Sequence, residues 1–160
     1  MKAALLLLAV AAAPGGRETI GVWTSWGAFR DRAPPRCFAI ARPVDAGGRS
    51  GGFASIATWP GRGLHGSLHV RLSRARDRSA PVTLSIGGLG GERRFVLVAN
   101  TGDAWAADAP SDRAIVAALR GGRSMSIEAV GDGGRPFADS YALAGAATAI
   151  DAAALGCAGR

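Results

Sequence analysis

Four groups of residues have the types and spacing to do chemistry. They are a G-x-S-x-G pentapeptide, two histidines four apart, a glycine-rich run and two cysteines near opposite ends of the chain. Gly48-Arg49-Ser50-Gly51-Gly52 matches the nucleophile elbow that raises a serine between a strand and a helix. Here a loop precedes Ser50 and a strand follows, so a loop is expected. His65 and His69 have the spacing of a helical zinc pair. Gly63 and Gly66 oppose a helix there, and in a strand four residues span roughly 13 Å, too far for one metal. Gly87 to Gly91 resembles a phosphate loop, but it feeds a strand and not a helix N-terminus, which makes it a hairpin turn. No catalytic residue, metal site or cofactor is expected from these groups.

Asp139 is a different case. Period-two alternation places it with Phe137, Tyr141 and Leu143 on one strand face. A carboxylate on an inward face needs an arginine or backbone donors. The expected role is a buried polar anchor, because no second titratable group stands near it in sequence to make an acid–base pair.

Cys37 and Cys157 are the only cysteines. In an exported chain they form one disulfide with no choice of connectivity, the alternative being two buried free thiols. Export is read from the N-terminus. Met1-Lys2, the apolar run Ala3 to Val10 and the small residues Ala9 to Ala13 have the layout of a secretory signal peptide. This assigns 1–13 to the leader, with cleavage after Ala11 or Ala12, and 14–160 to one domain. The run is shorter than the roughly 20 residues a membrane span needs.

The chain carries 19 basic and 12 acidic residues, a net charge of +7. Lys2 is the only lysine, so every basic residue beyond the leader is arginine. Arg71, Arg74, Arg76 and Arg78 stand close together in sequence and make a candidate anion-binding set. Its ligands would be lipid A, an acidic glycan or another envelope or host anion, with nucleic acid the weaker candidate. The arginines form no dense block, so a solvated basic surface is the plainer reading.

These residues must be held mainly by strands. Strand signals run over Ile20 to Phe29, the segment around Cys37 up to Pro43, Phe53 to Trp59, Ser67 to Ser73 and Val82 to Ile86. They continue over Phe95 to Val98, Ala104 to Ala106, Ser124 to Val130 and Phe137 to Leu143. Gly15 to Thr19 reads as a lead-in, and Arg30 to Pro35 as a charged turn. Around Cys37 both faces are apolar, the pattern of a strand buried on both sides. Ser111 to Arg120 breaks the rhythm as a helix capped by Ser111 or Asp112, and Ala146 to Leu155 is a second short helix. The fold class is all-β, sandwich-like, with two short helices, closed by one disulfide. Trp23, Trp26, Trp59 and Trp105 are core residues or a recognition patch.

Taken in order, Trp26, Cys37-Phe38-Ala39, Trp59-Pro60, Phe95-Val96-Leu97, Ala104-Trp105-Ala106, Gly121 to Met125, Asp139 to Gly145 and Cys157 resemble the invasion-associated locus B family of bacterial exported proteins. The resemblance implies a β-sandwich-like domain in the periplasm or cell envelope, with no known catalytic residues. The family name reflects a role in host-cell entry. On this reading the protein is a non-enzymatic envelope or secreted protein, acting through binding or envelope maintenance. The partner would be an envelope or host protein. The arginine-based anion-binding module is the rival.

Overall fold

The computed structural model describes residues 16–46 and 51–158. The leader 1–13 and Ser50 lie outside the described residues. The strands are β1 (Arg17–Trp23), β2 (Trp26–Arg32), β3 (Pro35–Ala41), β4 (Asp45–Ala46), β5 (Phe53–Trp59) and β6 (Leu64–Arg71). They continue as β7 (Val82–Gly88), β8 (Gly91–Ala99), β9 (Asp103–Trp105), β10 (Gly122–Val130) and β11 (Pro136–Ala142). The helices are α1 (Ala109–Gly121) and α2 (Ala146–Gly156).

The strands form one antiparallel sheet in the order β1-β2-β3-β5-β6-β9-β8-β7-β10-β11-β4. The sheet folds over at β8. Val98 and Ala99 pair with β9, while Gly91 to Leu97 pair with β7. The chain crosses back after β3, where the Val44 backbone N–H donates to the Ser140 carbonyl and β4 pairs with β11. The Trp26 indole N–H donates to the Ala142 carbonyl at 2.9 Å, tying the far edges of the two halves together. One core takes Leu68 and Val70 from the first half, Leu84, Ile127 and Tyr141 from the second, and Ile115, Leu119 and Ile150 from the helices. The expected sandwich-like β domain with two short helices is therefore what forms.

Three expectations at the N-terminal end are corrected. Residues Arg17 to Thr19 belong to β1 and are not a lead-in. The segment Ile20 to Phe29 is two strands joined by a tight turn at Thr24-Ser25, with Trp23 facing Trp26. Thr24 takes φ 51, a conformation for which threonine gives no sequence signal. Arg30 to Arg32 continue β2, and the turn shrinks to Ala33-Pro34.

The cap of α1 is Asp108, whose carboxylate accepts from the Ser111 backbone N–H at 2.8 Å. Asp112, one of the expected caps, accepts instead from the Leu68 backbone N–H at 2.7 Å and ties the helix to β6. Burial pushes its carboxyl above the usual range, against the pull of that hydrogen bond. The buried stripe is Ile115, Val116 and Leu119, as the spacing predicts.

Helix α2 buries Ala146, Ala149, Ile150 and Ala153. Small side chains let it lie close on the inward face of β1, β2 and β3. At Gly156 an added Cβ would stand 2.7 Å from Ile20 Cδ1 and 3.6 Å from Cys37 Sγ. Cys157 follows at once and bonds Cys37, with Cα atoms 5.8 Å apart and 120 residues between them in sequence.

Candidate functional site

Strand register decides which side chains share the outward face of the first half. Ladder pairing lines up Val22, Gly27, Ile40, Ser55, His69, Trp105 and Val98 in one row across seven strands. A parallel row carries Thr19, Phe29, Phe38, Ala57 and Ser67. Neither described helix covers this face, because α2 packs on the opposite side with Cys37 and Ala39.

The rings on the face stack. Phe29 lies on Phe38 with centroids 5.8 Å apart. His69 is parallel to Trp105 at 5.5 Å and meets the edge of Phe53 at 5.2 Å. Arginines roof the rings at one end, as cations do over aromatic faces. Arg17 and Arg36 stand 4.9 and 4.6 Å from the Phe38 centroid. Arg36 and Arg62 stand 5.0 and 4.9 Å from that of Trp59. Asp31 sits between Arg17 and Arg36 at 2.8 Å from each. The Arg17 hydrogen bond, with help from Arg36, holds the Asp31 carboxyl below the usual carboxylate range. At the other end Asp103 accepts from His69 Nε2 at 2.9 Å and forms an ion pair with Arg71, whose Nε lies 3.0 Å away. Trp105 remains 37 % exposed, and Val98 and Val22 more so.

Two readings of the sequence change here. The strand around Cys37 is buried on both faces at Cys37, Phe38 and Ala39 but not along its whole length. Phe38 is covered by arginines, and Ile40 is half-buried on an uncovered sheet face. Of the four candidate anion-binding arginines, Arg71, Arg74 and Arg78 are exposed and Arg76 is not. Arg71 is outward and paired with Asp103, and Arg74 lies over Phe137 at 5.3 Å. Arg78 is exposed. Arg76 is only 8 % exposed, and its guanidinium donates to the carbonyls of Asn100, Asp77, Ala80 and Ala99. Arg76 is therefore a backbone clamp, because five fixed donors suit a cluster of loop carbonyls. Trp26 is core and Trp105 lies on the face, so the tryptophans split between the two roles.

Asp139 is fully buried. It accepts from the Ser73 backbone N–H at 2.8 Å and from the Ser73 hydroxyl, fixing the chain after β6 to β11. Its neighbour Tyr141 is the only tyrosine. The Tyr141 hydroxyl is buried with no hydrogen-bond partner among the described residues. Burial, reinforced by Asp139, raises its pKa above the ordinary value of 10.0. The folded state therefore keeps a proton that the unfolded chain releases, and stability falls as pH climbs past the ordinary tyrosine range. In an alkaline titration, tyrosinate absorbance is expected to stay absent until the far-ultraviolet circular dichroism collapses. Ionisation with the dichroism unchanged would contradict this burial.

Among the described residues, no group of three or more His, Cys, Asp or Glu could hold a metal ion. No described helix is long and apolar enough to cross a membrane. Fold and face together define a single-domain, disulfide-closed β protein with one ring-rich, uncovered sheet surface. The chain belongs to the invasion associated locus B (IalB) family, whose model matches residues 26–154. It is similar in fold to the crystal structure of invasion associated protein B from Bartonella henselae. The TM-score is 0.57 at 19 % identity, over 84 % of this chain and 94 % of that one. No curated protein matches the chain.

Proposed function

We propose that this chain is an exported, non-catalytic protein of the periplasm or cell envelope that works by binding. Its binding surface is the outward face of β1-β2-β3-β5-β6-β9. The observation that carries this reading is the contrast between the two outward faces of one sheet. The first half presents Phe29, Ile40, Phe53, His69 and Trp105 to the outside. The second half lines up Arg94, Ser85, Ser126 and Ser140 in the equivalent row, which is small and polar beyond its one arginine. A solvated face gains nothing from aromatic rings, whereas rings and arginines are the residues on which association energy concentrates. Family membership supports a role outside the cytoplasm, as does the leader-like N-terminus. The name of the Bartonella relative points to a host or envelope partner.

The test is capture from envelope extract on immobilised protein, with a variant on each face. Trp105→Asp is expected to lose the captured partner, a fall of about 30-fold for an aromatic anchor. Ser126→Asp on the other face is expected to keep it. Equal capture by both variants would remove the surface assignment.

A further inference from the structure

The ring-bearing face contains a trough at its β1–β5 end, with a volume of about 750 Å³. Val22, Phe29, Ile40 and Phe53 line it, over a floor that passes Gly27. A Cβ at position 27 would stand 2.7 Å from the Phe29 ring, which leans across it. Val22 and Val44, both 66 % exposed, form the lip. Among the described residues, Arg42 is the only charged one lining the trough. It is exposed and makes no ion pair among the described residues, unlike Arg17 and Arg36, which share Asp31.

We propose that this trough holds the chain of a monomeric, anionic single-chain amphiphile of the fatty-acid class, with Arg42 taking the carboxylate. The assignment deepens the binding-face reading above and rests on it. The volume lies in the range of small-molecule sites, which are apolar with a few polar groups that fix orientation. The apolar side chains of Val22, Phe29, Ile40 and Phe53 share the lining with Thr24, Ser25 and Arg42, which suits an acyl chain with one polar end. Among the described residues no acidic one lines the trough, so a carboxylate meets no like charge from them. The guanidinium of Arg42 offers the fork geometry that a carboxylate matches. The chain desolvates the exposed valine lip and the half-buried rings, which is where the binding free energy arises.

The experiment measures calorimetric binding of three probes below their micellar concentrations: laurate, dodecyltrimethylammonium and acetate. Laurate is expected to bind with one-to-one stoichiometry, acetate not at all, and the cationic amphiphile at least tenfold more weakly than laurate. Arg42→Glu is expected to weaken laurate about tenfold, the size of a charge-assisted hydrogen bond. Ile40→Asp is expected to abolish binding. Both variants must keep the wild-type melting temperature in the absence of ligand, and Ile40→Ser serves in place of Ile40→Asp if that variant does not. Absence of laurate binding overturns the proposal, as does equal binding of the cationic amphiphile. Binding to anionic vesicles without binding to monomeric laurate also overturns it, and assigns the face to a membrane surface instead. The capture experiment with Trp105→Asp separates the two readings. Partner capture that depends on Trp105, with no laurate binding, leaves the face as a protein-binding surface and removes the fatty acid.

Discussion

Loss of the Cys37–Cys157 bond is expected to lower stability by about 4–5 kcal/mol. The bond closes a loop with 120 residues of separation, and the chain-entropy gain from cross-linking an unfolded chain rises with the logarithm of that loop. For a domain of this size each kcal/mol moves the melting temperature by about 2–4 °C, so the fall is roughly 10–20 °C. The check is thermal denaturation of the oxidised protein against the Cys37→Ala, Cys157→Ala double variant. The double variant avoids the ambiguity of incomplete reduction. A shift of only a few degrees would show that the packing of α2 holds the C-terminus without the bond. The structure argues against that outcome. Beyond the disulfide, one hydrogen bond among the described residues fixes the end of α2 to β2, from Arg30 to the Gly156 carbonyl at 3.3 Å. The helix face itself is mostly alanine, with little area to bury.

The disulfide was legible in the sequence because two cysteines leave a single pairing. The inward stripes of β6, β7, β10 and β11 were legible because alternation is a local signal. Asp139 was placed correctly for the same reason, as a polar residue in phase with an apolar stripe. The hairpin at Thr24-Ser25 was not, because its tightness comes from the pairing of Trp23 with Trp26 and not from a glycine or asparagine in the turn. Arg76 was misread because nothing local distinguishes a buried guanidinium from its exposed neighbours. The carbonyls it clamps come from the β8–β9 turn and from its own loop. The outward row from Val22 to Val98 escaped notice because it is a product of register across seven strands. One clue was present. Phe38 and Ile40 alternate with Cys37, Ala39 and Ala41, and two apolar faces mean either burial on both sides or one face kept for a partner.

Gly145→Ala is expected to cost about 2–5 kcal/mol, for two separable reasons. Gly145 turns the chain from β11 into α2 with φ +87, where a residue with a Cβ pays about 1–2 kcal/mol. An added Cβ would also overlap the Trp23 carbonyl oxygen and lie 2.7 Å from its carbonyl carbon. Backbone cannot rotate away as a side chain can, so either the β1–β2 hairpin or the start of α2 has to shift. Overpacking of this kind adds about 1–3 kcal/mol. Two other glycines separate the contributions. Gly134 has φ +75 with open space around its Cβ position, so Gly134→Ala carries the conformational cost alone, about 1–2 kcal/mol. Gly90 has open space and no positive φ, so Gly90→Ala is expected within about 0.5 kcal/mol of wild type. Urea denaturation of the three variants with a shared slope gives the series directly. If Gly145→Ala proves no more costly than Gly134→Ala, the close approach of the N-terminal hairpin to the α2 entry is not a constraint. If the series holds, the missing side chain at Gly145 is what lets the first hairpin reach the last helix. The disulfide then secures, at the other end of that helix, a contact the backbone has already made.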